Sequence, residues 1–113
     1  LTARRVAAGD VIITKGEEAD AMYFIAAGRV EIEVPSGPVT LAEGDFFGEI
    51  ALIKEGERRT ATVVAARGCD LLVLSSNDFQ HLVLANPEIG EAVREVAGQR
   101  ARSLGQKDEN SRD

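Results

Sequence analysis

The sequence predicts a mainly β fold, a rolled antiparallel sheet of barrel or jelly-roll type followed by helices. Three observations lead there. Up to Ser75 the chain is a series of short β-branched or aromatic runs broken by glycine. After Ser75 the apolar residues recur at helical spacing instead. A short pattern also repeats: Val6-Ala7-Ala8-Gly9-Asp10-Val11 resembles Leu41-Ala42-Glu43-Gly44-Asp45-Phe46. Each copy has an apolar residue three positions before Gly-Asp and another directly after it. Equivalent corners in two halves of a roll would produce this, and so would coincidence in a chain rich in glycine.

The strongest strand signals are Val11 to Thr14, Met22 to Ile25, the alternating Val30 to Val34, Ala61 to Ala65 and Cys69 to Leu74. Ala27-Gly28-Arg29 and Pro35-Ser36-Gly37-Pro38 both read as hairpin corners, where glycine supplies backbone angles that other residues avoid. Beyond Ser75, Ser76 or Asn77 is suited to cap a helix, with Asp78 in its first turn. Phe79, Leu82 and Val83 then share one face. Asn86-Pro87-Glu88 restarts the helix, with Asn as cap and Pro at the first position. Ile89, Val93 and Val96 form the next apolar stripe. Residues 101–113 carry no apolar anchor at their end and are expected to be a disordered polar tail.

Composition narrows the function. The 113 residues include 13 Lys plus Arg and 19 Asp plus Glu, a formal charge of -6. An acidic surface of this kind opposes nucleic acid or an anionic membrane as the main partner. No apolar run approaches the ~20 residues of a membrane-spanning helix, and no signal peptide is visible. His81 is the one histidine and Cys69 the one cysteine. An internal disulfide and the multi-histidine metal centre of a cupin-type enzyme are therefore excluded. His81 reads as a surface or packing residue, Cys69 as structural, and Tyr23, Phe24, Phe46, Phe47 and Phe79 as packing. Leu1 in place of Met suggests a piece of something longer.

The chemistry concentrates between Phe46 and Ala61. Gly48-Glu49-Ile50-Ala51-Leu52 reads as a short helical turn opening at a glycine, whose unpaired N–H groups can hold a phosphate. Arg59 arrives just upstream of a strand with a planar fork matched to phosphate oxygens, and Thr60 adds a hydroxyl. Glu49 would repel a phosphate but suits a sugar hydroxyl. Together they describe a nucleotide, with a compact cyclic phosphate a good candidate. The alternative at this point is an ordinary charged loop in which Glu49 and Arg59 pair at the surface.

Phe47-Gly48-Glu49-Ile50-Ala51-Leu52 followed by Arg59-Thr60-Ala61 resembles the phosphate-binding cassette of the cyclic nucleotide-binding domain family. Gly9-Asp10, Gly16-Glu17 and Gly28-Arg29-Val30 stand at the family's usual intervals before it. The resemblance covers roughly residues 3 to 100. It implies an eight-stranded antiparallel β-roll, jelly-roll-like, with a short cassette helix and C-terminal helices. The domain would span 1–100. The implied ligand is cAMP ahead of cGMP, with no cofactor and no metal. Arg59, Thr60 and Ala51 would face the cyclic phosphate, and Gly48, Glu49 and Ile50 the ribose. The base would lie near Val63 and Val64 under a C-terminal lid drawn from Val96, Ala97 and Arg100, with Val93 and Arg94 as further candidates. Two departures stand out. The chain starts almost at the first strand, where family members carry helices, and Arg58 stands where proline often precedes the key arginine.

The resemblance further implies a non-catalytic sensor in the cytoplasm, regulating a fused effector absent from this chain. The segment from Phe46 to Ala61 and the short tail look similar to bacterial potassium channel domains, whose effector is a tetrameric pore. Other effectors stay open: another transporter, an enzyme or a transcription regulator, as does a degenerate roll that binds nothing. Direct DNA binding and direct insertion into a membrane are not expected of this piece.

Overall fold

The computed structural model describes residues 1–49, 58–96 and 98–99. Among these, eight strands form two four-stranded sheets. They are β1 (Thr2–Val6), β2 (Val11–Ile13), β3 (Ala21–Ala27), β4 (Arg29–Glu33), β5 (Val39–Ala42), β6 (Phe46–Phe47), β7 (Thr62–Ala65) and β8 (Cys69–Ser75). One sheet has the order β1-β8-β3-β6, the other β2-β7-β4-β5, and every pairing is antiparallel. The mainly β roll expected from the sequence is therefore the fold. The five strongest strand signals correspond to β2, β3, β4, β7 and β8.

The repeated motif marks two equivalent corners. Asp10 N donates to Ala7 O and Ala7 N to the Asp10 carboxylate (3.0 and 2.8 Å). Asp45 and Ala42 do the same (2.9 and 3.0 Å). Each corner also grips one strand residue from both sides. Gly9 N donates to Ala65 O while Ala65 N donates to Asp10 O. Likewise Gly44 N donates to Ile25 O while Ile25 N donates to Asp45 O. Coincidence does not produce the same four bonds twice, so the echo is architectural.

The corner at Gly28 is not a hairpin. β3 and β4 lie in different sheets and do not pair, so the chain here crosses from one sheet to the other. Gly28 has φ +105°, and a Cβ on it would sit 2.5 Å from Gly68 O and 2.7 Å from Cys69 Sγ. The crossing therefore needs glycine twice over, for its backbone angle and for its lack of a side chain. Cys69 is buried and its thiol donates to Arg29 O and Arg67 O (3.2 and 3.1 Å). The Pro35–Pro38 corner is a hairpin, joining the paired β4 and β5.

Strand alternation builds two cores from one sheet. Tyr23, Ile25, Phe47 and Leu71 point inward with Val30, Val63 and Ala65 of the facing sheet. Met22 and Leu74 point outward, with Phe24 and Phe46 beside them, against the helices. Tyr23 stacks on Phe47 with centroids 5.1 Å apart, and Phe24 tilts against Phe46 on the opposite face at 5.9 Å. Each fully buried large side chain stabilises the fold by roughly 1.5–3 kcal/mol.

Helix α1 (Ser76–Ala85) begins one residue earlier than expected, because Ser75 is its cap. Ser75 is extended (φ -67°, ψ 159°) and its hydroxyl accepts from Asp78 N at 3.1 Å. Phe79, Leu82 and Val83 face the outer core as the spacing predicts. Asn86 closes α1, its N–H donating to Leu82 O at 2.8 Å and its amide at 3.4 Å. The expected side-chain cap on the following helix (87–96) is thus turned back onto the preceding one. In that second helix Val93 is buried and Val96 half-buried, while Ile89 is 40% exposed. The stripe is narrower than the sequence suggested because Gly90 makes the contact with α1. A Cβ there would lie 2.7 Å from Val83 Cγ1. No helix among the described residues is long and apolar enough to cross a membrane. The predicted cassette helix beyond Glu49 and the polar tail 101–113 lie outside the described residues.

Candidate functional site

Two charged residues are buried among the described ones, Glu49 at 2% exposure and Arg59 at 7%. Burying an ion in an apolar roll costs several kcal/mol unless polar partners replace water. Arg59 has such partners. Nη2 donates to Ala21 O at 2.7 Å, and Nη1 donates to Gly48 O at 3.0 Å. Its main chain is held as well, with Arg59 N donating to Glu17 O (2.8 Å) and Gly16 N donating to Arg59 O (2.9 Å). A bridge between Glu18 and Arg58 continues this contact. Extended backbone alternates its side chains, so Arg58 is exposed and donates to Gly16 O at 3.2 Å while Arg59 turns inward. The surface pairing of Glu49 with Arg59 that the sequence left open is excluded, because neither side chain is at the surface.

The close approach at Gly48 explains its residue type. Its φ is +85°, and a Cβ would meet Arg59 Nη1 at 2.9 Å and Ala21 O at 3.3 Å. Register then places the supports. Tyr23 pairs with Phe47 across β3 and β6, so the stacked rings stand beside the two strand ends whose carbonyls hold the guanidinium. Burial pushes Arg59 below the usual guanidinium value, and the charges of Tyr23, Asp20, Glu17 and Glu49 oppose that shift. Guanidinium stays protonated throughout the accessible range. The result is a buried cation fixed on the carbonyl of Gly48, whose chain neighbour Glu49 is a buried carboxylate, and buried charged groups held this way are candidates for a functional site.

The other candidates fall as follows. Thr60 is exposed beside Arg59, and Val63 is buried on the inner face directly opposite Ile32. Val64 is half-buried on the other face of β7, paired with Glu31 and Val11. Val63 and Val64 therefore present opposite faces of β7. Val93 is buried in the outer core, Val96 is half-buried and Arg94 is exposed. Ile50, Ala51, Ala97 and Arg100 lie outside the described residues. His81 is exposed on α1. Sequence reasoning noted Gly16-Glu17 only as part of the resemblance and missed Ala21; all three hold Arg59 through backbone atoms, which leave no side-chain signal. It also passed over Ile32 and Leu41, half-buried inner-face neighbours of the core. Their alternation with Glu31 and Thr40 was a visible cue.

Comparison with known proteins agrees with this geometry. Residues 3–86 match the family model of the cyclic nucleotide-binding domain. The catabolite activator protein of Thermus thermophilus superposes with a TM-score of 0.83 at 26% identity, over 96% of this chain and 53% of that one. The cAMP-bound PfPKA-R gives 0.74 at 28% identity, over 92% of this chain and 37% of that one. A cyclic nucleotide-gated potassium channel of Rhizobium etli is 50% identical over 100 residues, 88% of this chain. The cAMP-activated global transcriptional regulator CRP of Escherichia coli O157:H7 is 32% identical over 99 residues, 82% of this chain. The chain spans 28% of the channel's length and 46% of the regulator's. With a roll of two antiparallel sheets, a buried arginine beside Gly48-Glu49 and the family model matched over 3–86, the chain belongs to the cyclic nucleotide-binding domain family.

Proposed function

We propose that this domain, residues 1–100, binds cAMP in preference to cGMP, leaves it chemically unchanged, and uses occupancy to regulate a fused channel pore at the cytoplasmic face of a membrane. The observation that carries the reading is the buried pair of unlike charges, Arg59 held by two carbonyls with Glu49 next to Gly48. Arg59 offers its remaining N–H donors to the cyclic phosphate, helped by Thr60 and the backbone at Ala51. Glu49, flanked by Gly48 and Ile50, accepts from the ribose 2′-OH. The base rests on the inner sheet at Val63 and Ile32, and Val96, Ala97 and Arg100 supply the lid. Ligand contacts made only with the lid closed shift the population of closed helices, which is how binding reaches an effector. The half-identical channel supports a pore as that effector over the module of a transcription regulator.

The test is calorimetric titration with cAMP and 2′-deoxy-cAMP. A hydrogen bond to a charged group is worth about 1.5–3 kcal/mol, or roughly a ten- to hundredfold preference for cAMP. Glu49→Ala is expected to abolish that preference. The same preference in wild type and variant would refute the role of Glu49.

A further inference from the structure

The ladder between β3 and β6 stops after two rungs. Phe24 pairs with Phe46 and Tyr23 with Phe47, and the same register carried on would set Met22 against Gly48. Gly48 turns away instead, with φ +85°. Arg59 fills the next place, its fork donating to Ala21 O on one strand (2.7 Å) and to Gly48 O just past the other (3.0 Å). The rung beside that fork is Tyr23 with Phe47, their rings stacked at 5.1 Å and 13°. Tyr23 projects from the same face of β3 as Ala21, about 7 Å further along the strand. It is 8% exposed. Among the described residues its hydroxyl takes part in no hydrogen bond, whereas every polar side-chain atom sealed from solvent there has a partner. The hydroxyl end of this buried ring is therefore not sealed, and it borders space that another molecule can enter. Of the ionisable side chains that act on Arg59, Tyr23 acts most strongly. Buried polar groups are hydrogen-bonded in the great majority of cases, so a phenol without a partner one rung from a fixed guanidinium calls for a reason. Packing does not supply one, because a phenylalanine ring would stack on Phe47 equally well.

We propose that Tyr23 is a ligand-contacting residue, its hydroxyl donating to an oxygen of the phosphate that Arg59 faces. This deepens the cyclic nucleotide reading and rests on it. Two donors of different kind then hold one phosphate. The guanidinium supplies charge and a planar fork. The phenol supplies a neutral donor on a ring already fixed by its stack on Phe47, so little rotamer freedom is lost when the bond forms. Phe47 thereby positions two parts of the site, the ring of Tyr23 across the ladder and the carbonyl of Gly48 next in the chain. An unpartnered hydroxyl contributes nothing to the empty fold and contributes its bond only in the complex. That asymmetry separates a ligand contact from a packing residue.

The test is Tyr23→Phe, which removes the hydroxyl and keeps the ring. The Tm of the nucleotide-free variant is expected to stay within about 2 °C of wild type, because no bond of the empty fold is lost. Calorimetric affinity for cAMP is expected to fall about ten- to hundredfold, the worth of a hydrogen bond to a charged oxygen. The same fall is expected with 2′-deoxy-cAMP, because the contact is to phosphate and not to the sugar hydroxyl; a loss confined to cAMP overturns the phosphate contact. The chain has one tyrosine and no tryptophan, so its intrinsic emission reports Tyr23 directly and reads the wild type without any variant. That emission, corrected for nucleotide absorbance, is expected to change with the same midpoint as the calorimetric titration. Unchanged emission at saturation, or wild-type affinity in Tyr23→Phe, overturns the inference while cAMP binding stands. Absence of cAMP binding in the wild type overturns this inference together with the reading beneath it.

Discussion

Replacing Arg59 with Lys keeps the charge and removes the fork. In the structure the fork spans two carbonyls on different strands, Ala21 O at 2.7 Å and Gly48 O at 3.0 Å. An ammonium on a flexible stem cannot reproduce that planar span. At least one carbonyl, at a position where Arg59 is only 7% exposed, loses its charged donor. Hydrogen bonds to charged groups contribute about 1.5–3 kcal/mol, so the folded state should lose stability of that order. For a domain of this size that lowers Tm by about 5–10 °C. The affinity for cAMP should fall as well, about ten- to hundredfold, because one two-pronged contact with the phosphate becomes a point charge. The two backbone bonds add a folding cost that the sequence did not show. Thermal unfolding and calorimetry on the same preparation separate the two effects. Wild-type stability in Arg59→Lys would refute the anchoring role, and wild-type affinity with lowered stability would reduce Arg59 to a structural residue.

Two further outcomes are expected. Gly28→Ala places a Cβ 2.5 Å from Gly68 O at φ +105°, so it should cost at least about 2 kcal/mol by denaturant unfolding; a neutral result would contradict the account of the sheet crossing. Ser75→Ala removes the cap on α1 and should cost about 1 kcal/mol, with cAMP affinity unchanged within about twofold.

What the sequence made legible was what side chains encode. Runs such as Val11-Ile12-Ile13 and Cys69 to Leu74 announced their strands because β-branched and apolar residues pack on a pleated surface. The first strand, Thr2–Val6, exposes four of its five residues, and the strand Phe46–Phe47 has only two residues. Neither carries an alternating apolar signal of useful length. The Gly-Asp echo was visible, but its meaning needed the hydrogen bonds to Ala65 and Ile25. At the site, Gly48, Glu49 and Arg59 stood out by residue type. Their supports did not, because Ala21 O, Glu17 O and Gly16 N act as backbone atoms that any residue possesses. The crossing at Gly28 was misjudged for a related reason. A glycine between two strands marks a bend, and which sheet the next strand joins is decided by distant pairing.

The most direct test of the central claim is calorimetric titration of nucleotide-free protein with cAMP and then cGMP, after the sample has been shown to be folded and empty. Saturable binding of one nucleotide per domain, tighter for cAMP and lost in Arg59→Ala that still folds, is the predicted result. A folded, empty domain that gives no heat or competition signal with either nucleotide would contradict the account.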